Sequence, residues 1–456
     1  MKSIRRFLFI RDLEGELQMA QTMTQGSISR ILVRFSLPLI FSGVLQQLYN
    51  WADAFIVGNV EGELALAAVG ATTSTVNLFL MVITGVTLGL SILSAQRCGQ
   101  GRAGENAQVL STFVLALGGC FLVLSAAGIF LAEGVLRMLH TPADIRDQAA
   151  EYLHIVLLGV PFLAVYNVYS AVLRGMGDSR APFLSVLVSS AGNVALDLLF
   201  VARLGWGVAG AAAATVLSQL MMTLFLICYT VRRYAFLRFR PGRAAFSREA
   251  LRRGLRLGIP PAVQSGVTSL GNFALQNFMN GFGTAAVAAI TTAYQVDSII
   301  MLPMLNLGSG ISTVAAQNIG AGDRRRAWRA FLVGSAMTAA VSLLLAALVY
   351  SAGGEMITMF GVGPESAAIG RRFFREIAPF YLIYGLSMSS RGFLEGLGDV
   401  NFSSAAGIAS LAVRIAASYG AAGRWGTSII AYAEVLSWSV LLLLCLLRIG
   451  KKRSCG

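Results

Sequence analysis

The motif LRGMGD at positions 173–178 returns as LEGLGD at positions 394–399, and this repetition decides the fold. Two other pairs recur at a similar spacing: AQRCGQG at 95–101 with AQNIGAG at 316–322, and SLP at 36–38 with IPP at 259–261. Three matches in one register, about 220 residues apart, indicate that the chain is an internal duplication.

Both copies are too apolar to fold in water. Of the 456 residues, 56% are hydrophobic and only 13% are charged, whereas soluble domains carry about 25% charged residues. The chain therefore requires a lipid environment. A spanning helix needs about 20 mostly apolar residues, and twelve stretches meet this requirement. They lie at 31–57, 64–96, 106–132, 150–174, 181–202, 208–231, 255–281, 285–318, 328–352, 373–396, 403–421 and 427–448.

The placement of Lys and Arg indicates the orientation of these helices. The basic residues are concentrated in alternate loops, in the long segment between the repeats and at the C-terminus, while the other loops are short or acidic. By the positive-inside rule, both termini and the middle linker are expected in the cytoplasm, with the helices in the inner (plasma) membrane. Each repeat has an even number of helices, so both copies enter the membrane from the same side.

The predicted fold class is an all-α polytopic membrane protein. It has twelve transmembrane helices in two six-helix bundles, related by a pseudo-two-fold axis along the membrane normal. Its expected parts are a cytoplasmic N-terminal extension at 1–30, a first bundle at 31–233, a basic cytoplasmic linker at 234–253, a second bundle at 254–448 and a basic cytoplasmic tail at 449–456. The apolar stretch before Arg11 is too short to span a membrane and lacks a cleavage-like end, so no signal peptide is predicted.

The composition argues against several other classes of protein. The net charge of +14 would suit nucleic acid, but the basic residues lie between apolar stretches and leave no compact basic domain. The five cysteines and two histidines lack metal-ligand spacing. The sequence shows no nucleophile–base pair and no phosphate-binding loop in the required strand–helix context. We therefore expect neither an enzyme nor a nucleic-acid-binding protein, and no cofactor or resident metal.

Polar side chains inside the membrane are the candidate functional groups, because each charge there costs roughly 2.5–3.5 kcal/mol. In the first repeat these groups are Gln46, Asn50 and Asp53 on one face of the first helix, Asn167 in the fourth, Asn193 and Asp197 on one face of the fifth, and Thr215 in the sixth. If the helices form a bundle, these groups converge on one inner cavity with two carboxylates. Such carboxylates repel each other, so one is expected to bind a proton near neutral pH, as a proton-coupled device requires.

Two structural interpretations of these aspartates stay open. A buried Asp bonded to Asn and Thr can simply lock helices together. Asp53 can also be an interfacial residue, since Gly58 and Asn59 end its helix soon afterwards.

A hinge and a substrate cleft are also expected. Pro38 removes a hydrogen bond from the first helix and marks either a static bend or a moving hinge. Asp297 has no evident partner in the sequence, and it either lines a central cleft or caps a break in its helix. The candidate cleft residues are Gln46, Asn50, Gln276 and Asp297.

The second repeat serves as an internal control, because it lacks both carboxylates. At the local offsets, Asp53 corresponds to Gln276, Asn167 to Met388, Asn193 to Arg414, Asp197 to Ser418 and Thr215 to Glu434. The second repeat thus has one basic and one acidic residue, Arg414 and Glu434, at positions that are uncharged in the first repeat. We predict that Arg414 and Glu434 form an ion pair. Such a pair would titrate poorly, so ion coupling is expected in the first repeat.

These motifs together resemble the multidrug and toxic compound extrusion (MATE) family of efflux transporters, over roughly residues 24–450. The resemblance rests on ADAFIVG at 52–58, AQRCGQG at 95–101, LRGMGD at 173–178 with its second copy, and AAQNIG at 315–320. It implies two bundles around a central V-shaped cleft, and antiport of drugs against protons or sodium ions. In the subgroup with an acidic first-bundle site, that site is similar to Asp53, Asn167, Asn193, Asp197 and Thr215. The resemblance also implies that protonation at Asp53 accompanies bending at Pro38.

One departure from the family indicates that ion coupling takes place in the first bundle rather than in helix seven. Some relatives place an essential glutamate in helix seven, but this chain has no acidic residue from Leu255 to Phe282.

We predict a monomeric secondary-active antiporter that exports amphipathic, cationic organic compounds in exchange for H⁺ or Na⁺ by alternating access. One alternative is a lipid-linked sugar flippase of the same superfamily, which needs a strongly cationic cavity although only Arg391 and Arg414 are intramembrane bases. The other is a channel, which needs a polar pore through both leaflets.

Overall fold

The computed structural model describes residues 23–139, 141–239 and 246–454. All regular secondary structure in this part of the chain is helical. The α-helices are α1 (Ile28–Val60), α2 (Glu63–Gly99), α3 (Asn106–Met138), α4 (Ala143–Gly175), α5 (Arg180–Asp197), α6 (Gly207–Arg233), α7 (Arg248–Asn280), α8 (Thr284–Ile300), α9 (Leu302–Gly320), α10 (Arg324–Thr358), α11 (Pro364–Ile377), α12 (Tyr381–Gly396), α13 (Val400–Trp425) and α14 (Ile429–Ser454). Residues 1–22 of the predicted N-terminal extension lie outside the described residues.

These helices make twelve spans within the described residues, because two spans are each built from two helices. Helices α8 and α9 meet at an angle of 42°, and a 3₁₀ turn at Ala378–Phe380 joins α11 to α12. Eight helical segments of the described chain are long and apolar enough to cross a membrane, or nine with the bent pair. One of those segments, Val400–Arg453, contains both α13 and α14. The all-α, twelve-helix prediction is confirmed.

The described chain divides into two compact units whose boundaries fall inside helices. The first unit comprises residues 41–258, and the second comprises 23–40 together with 259–454. The predicted bundles began at 31 and 254, so the division differs at both places. The start of α1 belongs to the second unit because its apolar residues are buried there: Leu32 and Phe35 pack in one cluster with Ile311 and Phe331.

The duplicated motif has the same structural role in each unit. Gly177 and Gly398 take positive φ angles of 90° and 81°, a conformation that favours glycine and stops the preceding helix. A Cβ on Gly175 would lie 2.5 Å from the Ser91 carbonyl oxygen, and one on Gly396 would lie 2.5 Å from that of Ser312. The glycines therefore permit close helix packing, as small residues do in membrane proteins.

The aspartate that ends each motif has different partners in the two units. Asp178 accepts hydrogen bonds from the backbone N–H groups of Arg180 and Ala181. Asp399 lies 2.8 Å from Arg448 Nε and 3.0 Å from Lys452 Nζ. Partial burial would raise the pKa of Asp399, but the hydrogen bonds and charges of these two bases outweigh it and lower the pKa. The contacts therefore contribute stability at neutral pH that is lost as the pH falls through the lowered pKa.

One helix forms the centre of the first unit and carries part of the candidate site. Helix α4 packs against α2, α3 and α6. Ser125 of α3 donates a hydrogen bond to the Leu157 carbonyl of α4, and Thr223 of α6 donates to the Phe162 carbonyl at 3.0 Å. These interhelical bonds fix α4 relative to α3 and α6, and thereby fix the position of the candidate-site residues that α4 carries. In the second unit, α12 packs in the corresponding way against α9, α10 and α14.

Candidate functional site

The structure brings the two first-repeat aspartates face to face. Asp53 lies in the first unit near the end of α1. Asp197 is the last residue of α5, which continues as a π-helix over Leu198–Arg203. The two carboxyl groups lie within hydrogen-bonding range of each other. Single π-helical turns often occur at functional sites, and this one begins at the residue after Asp197.

The groups around this carboxyl pair are buried. Asp197 and Asn193 are both completely shielded from solvent. Asp53 Oδ1, both carboxylate oxygens of Asp197 and both amide atoms of Asn193 are enclosed and accept or donate no hydrogen bond within the protein. Asp53 as a whole is half-buried. Three carboxylate oxygens that are enclosed without donors are unfavourable unless a cation neutralises one of the two groups. The chemistry of these donors suits a proton shared between the oxygens, or a sodium ion bound by them.

Two tyrosines complete the cluster, and the sequence reasoning missed both. Tyr49 lies one helical turn before Asp53, and both Tyr49 and Tyr152 are near enough to the carboxyl pair to interact with it electrostatically. Tyr152, on α4, is buried and lies near Thr215 of α6. The four-residue spacing between Tyr49 and Asp53 predicts a common helix face and was the available signal. Nothing in the sequence pattern indicates that Tyr152 reaches the pair from another helix.

The other predicted ion-coupling residues differ in how closely they join the cluster. Asn193 lies one turn before Asp197 on α5 and shares its burial. Thr215 is buried on α6 and joins the cluster through Tyr152. Asn167 is half-buried, and its amide donates to the Leu163 carbonyl of its own helix at 2.8 Å. The structure therefore shows a local backbone partner for Asn167 rather than a contact with the carboxyl pair.

We predict that Tyr152→Phe weakens binding of the coupling ion without unfolding the protein. The substitution keeps the buried ring and removes only the hydroxyl, whose hydrogen bonding is worth about 1 kcal/mol. We expect the H⁺ or Na⁺ concentration for half-maximal transport to rise about fivefold, as measured in reconstituted vesicles. Tyr169→Phe on the same helix is the matched control, since Tyr169 is also buried. Equal effects of the two substitutions would contradict a specific role for Tyr152.

Three of the four candidate cleft residues are exposed, while the fourth, Asp297, is buried. Gln46 and Asn50 are exposed on the first unit, where Asn50 donates to Gln47 at 3.4 Å. Gln276 is exposed on the second unit and donates to Asn280 at 3.1 Å. These three side chains are therefore accessible, as a role in substrate contact requires.

Asp297 departs from both sequence interpretations. Its side chain is only 3% exposed and accepts a hydrogen bond from the Tyr381 hydroxyl, so it has a partner and is enclosed within the second unit. The break between α8 and α9 is satisfied by the backbone, since the Met301 N–H bonds to the Asp297 carbonyl at 2.9 Å. The Asp297 carboxylate therefore neither lines an open surface nor caps the break. The sequence could not show this, because Tyr381 lies on a different helix.

Arg414 and Glu434 form an ion pair inside the second unit. Arg414 Nη2 lies 3.0 Å from Glu434 Oε2 and 2.9 Å from the Tyr294 hydroxyl. The two charged side chains are 18% and 10% exposed. The pair thus occupies the positions that correspond to Asn193 and Thr215 in the first repeat, whereas the positions of the two carboxylates hold Gln276 and Ser418.

Known proteins match the chain over most of its length. A family model described as MatE matches residues 38–199 and 260–419, so it covers both repeats. The chain belongs to the MatE family. MatE proteins are transporters, so this chain is a membrane transporter and not an enzyme. The resemblance to MATE efflux transporters that the motifs indicated is confirmed.

Relatives and solved MatE structures agree with this assignment. The chain is 31% identical to "Probable multidrug resistance protein YpnP" of Bacillus subtilis (strain 168) over 379 residues, which cover 83% of this chain and 85% of that protein. It is 30% identical to "Probable multidrug resistance protein YoeA" of the same strain, over 80% of each chain. A crystal structure of a MATE protein in complex with MaL6 superposes with a TM-score of 0.88 at 23% identity, over 95% of this chain and 99% of that one. This last likeness shows the fold.

Proposed function

We propose that this protein is a secondary-active antiporter that exports amphipathic, cationic organic compounds in exchange for H⁺ or Na⁺ by alternating access. The observation that carries the proposal is the facing pair Asp53 and Asp197 in the first unit, of which Asp197 is fully enclosed and Asp53 half-buried. Such a pair binds one cation strongly when closed, and releases it when solvation or a movement of α1 separates the carboxylates.

The chain's own residues suggest how binding and release take place. Asp53 and Asp197 carry the ion, while the hydroxyls of Tyr152 and Thr215 and the amide of Asn193 orient or ligate it. These oxygen atoms suit a proton and a sodium ion alike, so both ions remain in the proposal. One-for-one exchange of the coupling ion for a monovalent organic cation moves no net charge, so the concentration gradient of the ion drives export, and each tenfold gradient supplies about 1.4 kcal/mol.

The flippase alternative is disfavoured by the state of the two intramembrane bases. Arg391 donates to Glu395 Oε1 and to Gln264 Oε1, both at 2.8 Å. Arg414 is occupied by Glu434 and Tyr294. A pyrophosphate-linked lipid needs free cationic donors, and both of these guanidinium groups already have partners.

Transport by the purified protein in proteoliposomes tests the proposed function. A panel of fluorescent organic cations would be loaded, and an inward proton or sodium gradient imposed in separate samples. We expect one of the two gradients to drive efflux of at least one cation against its own gradient. Efflux that responds to neither gradient, or only to ATP, would overturn the antiport proposal.

Pro38→Ala tests the proposed hinge in α1. Pro38 lies two residues before the boundary between the units, inside an otherwise continuous helix. Alanine restores the missing backbone hydrogen bond and favours a straight helix by about 3 kcal/mol. We expect the turnover rate to fall at least about tenfold while the protein stays folded. Pro161→Ala, inside α4, is the matched control, and a Pro38 variant as fast as this control would argue for a static bend.

A further inference from the structure

A polar cavity lies at the end of the second unit where α10 is followed by α11. Its volume is about 230 Å³, and it is lined by Val349, Tyr350, Ser351, Gly354, Glu355, Arg371 and Arg375. The two arginines stand four residues apart, so they lie on the same face of α11. Neither the candidate ion site nor the buried pair of Arg414 and Glu434 includes any of these residues.

The two arginines of the cavity are free of ion pairs among the described residues. Arg372, between them in sequence, is paired with Glu376 at 2.9 Å, whereas Arg371 and Arg375 have no carboxylate within 4.0 Å in the described chain. The same helix therefore has one neutralised arginine and two that are available to a ligand. Two guanidinium groups on one side of a cavity suit a phosphate group, which accepts several charge-assisted hydrogen bonds.

Glycine at position 354 gives Arg371 its place in the cavity wall. A Cβ at Gly354 would lie only 2.7 Å from Arg371 Nε, so the guanidinium group packs directly on the backbone of α10. Gly353 plays a similar part for the neighbouring ring, since its Cβ would lie 2.9 Å from Phe374 Cδ2. The side chain of Arg371 is therefore held by close helix packing rather than extended freely into solvent.

The cavity continues into a strip of the helix surface that suits acyl chains. Leu344 and Leu348 are 70% and 45% exposed, and their spacing to Ser351 and Glu355 puts all four on one face of α10. The basic start of α10 at Arg324 lies about 40 Å away along the helix axis. The cavity is therefore at the end of the unit opposite to that basic end, where the positive-inside rule disfavours arginine. A ligand for these arginines explains their presence there.

We propose that this cavity binds the headgroup of an anionic glycerophospholipid with headgroup hydroxyls, such as phosphatidylglycerol. The phosphate lies between Arg371 and Arg375, the glycerol hydroxyls donate to Glu355, and one acyl chain follows Leu344 and Leu348. Two arginines, one glutamate and one phosphodiester sum to zero charge, so this lipid neutralises the cavity. Basic pockets between transmembrane helices recognise acidic headgroups by the same chemistry.

Lipid binding to the purified, delipidated full-length protein tests this proposal. Native mass spectrometry would count bound phosphatidylglycerol, phosphatidylethanolamine, phosphatidylcholine and phosphatidic acid for the wild type, Arg371→Gln, Arg375→Gln and their double variant. We expect phosphatidylglycerol to bind best and its affinity to fall about tenfold or more in the double variant. Arg372→Gln is the matched control and should bind as the wild type does. Glu355→Gln should abolish the preference for phosphatidylglycerol over phosphatidic acid.

Three results would overturn the assignment. One is undiminished phosphatidylglycerol binding by the double variant. Another is tighter binding of phosphatidylethanolamine that is lost in Glu355→Gln, which would indicate an ammonium headgroup at the glutamate. The third is inorganic phosphate that raises the unfolding temperature as much as phosphatidylglycerol does, which would indicate a soluble anion. Arg371 and Arg375 are exposed, so these variants should fold, and their unfolding temperatures without lipid would verify it.

Discussion

Asp53→Asn is expected to fold normally and to lose all ion-driven efflux. Asparagine has nearly the shape of aspartate, and its amide can donate to the facing Asp197 carboxylate. The variant therefore keeps the local packing and supplies a permanent donor in place of an exchangeable ion. Without exchange, the gradient cannot drive substrate uphill. We expect efflux from proteoliposomes under an imposed gradient to fall to the level of protein-free vesicles.

Matched variants distinguish this loss from a general effect of charge. Asp144→Asn makes the same chemical change at an exposed position of the first unit and should transport as the wild type does. Asp197→Asn should lose coupling as completely as Asp53→Asn. The double variant should be no worse than either single one, because the two carboxyl groups act as one site. Gradient-driven efflux by Asp53→Asn would show that coupling takes place elsewhere.

Arg414→Ala is expected to destabilise the protein by about 3–5 kcal/mol, because it leaves Glu434 charged and enclosed without its partner. Glu434→Gln should also destabilise it, since the buried guanidinium group then has only Tyr294. A variant with both residues replaced by Met should recover most of the loss, because apolar residues of similar size substitute well for a buried ion pair. Thermal unfolding in detergent at constant lipid content would measure all three.

A different pattern would argue against the ion pair as a structural unit. If Glu434→Gln keeps full stability and transport while Arg414→Ala does not, the arginine acts independently of the glutamate. If the double Met variant is less stable than either single one, the two residues stabilise the second unit separately. Either result would also weaken the view that the second unit is not the titrating half.

The fold was largely predictable because its signals are local. Gly177 and Gly398 mark the same turn in each repeat, and their positive φ angles explain why the motif keeps glycine there. The pairing of Arg414 with Glu434 was also predictable, because the duplication places them at positions whose counterparts in the first repeat are Asn193 and Thr215. Comparison of two copies of one fold thus supplied information that a single copy lacks.

Several contacts between residues on different helices could not be predicted from the sequence. The carboxyl pair itself was expected from converging helix faces, but Tyr152 approaches it from α4, and no spacing rule predicts this. Asp297 is satisfied by Tyr381 of α12, far along the chain, and Asn167 by the backbone of its own helix. The unit boundaries inside α1 and α7 likewise follow from packing, since the apolar pattern of each helix continues across them.

Release of the coupling ion on substrate binding tests the central claim most directly. Detergent-purified protein would receive an organic cation that it transports, and released protons would be followed with a pH-sensitive dye or released sodium with a radioactive tracer. The Asp53–Asp197 site predicts about one ion released per wild-type protein, none from Asp53→Asn or Asp197→Asn, and normal release from Asp297→Asn in the second unit. Undiminished release from both first-unit variants, or loss of release in Asp297→Asn alone, would contradict it.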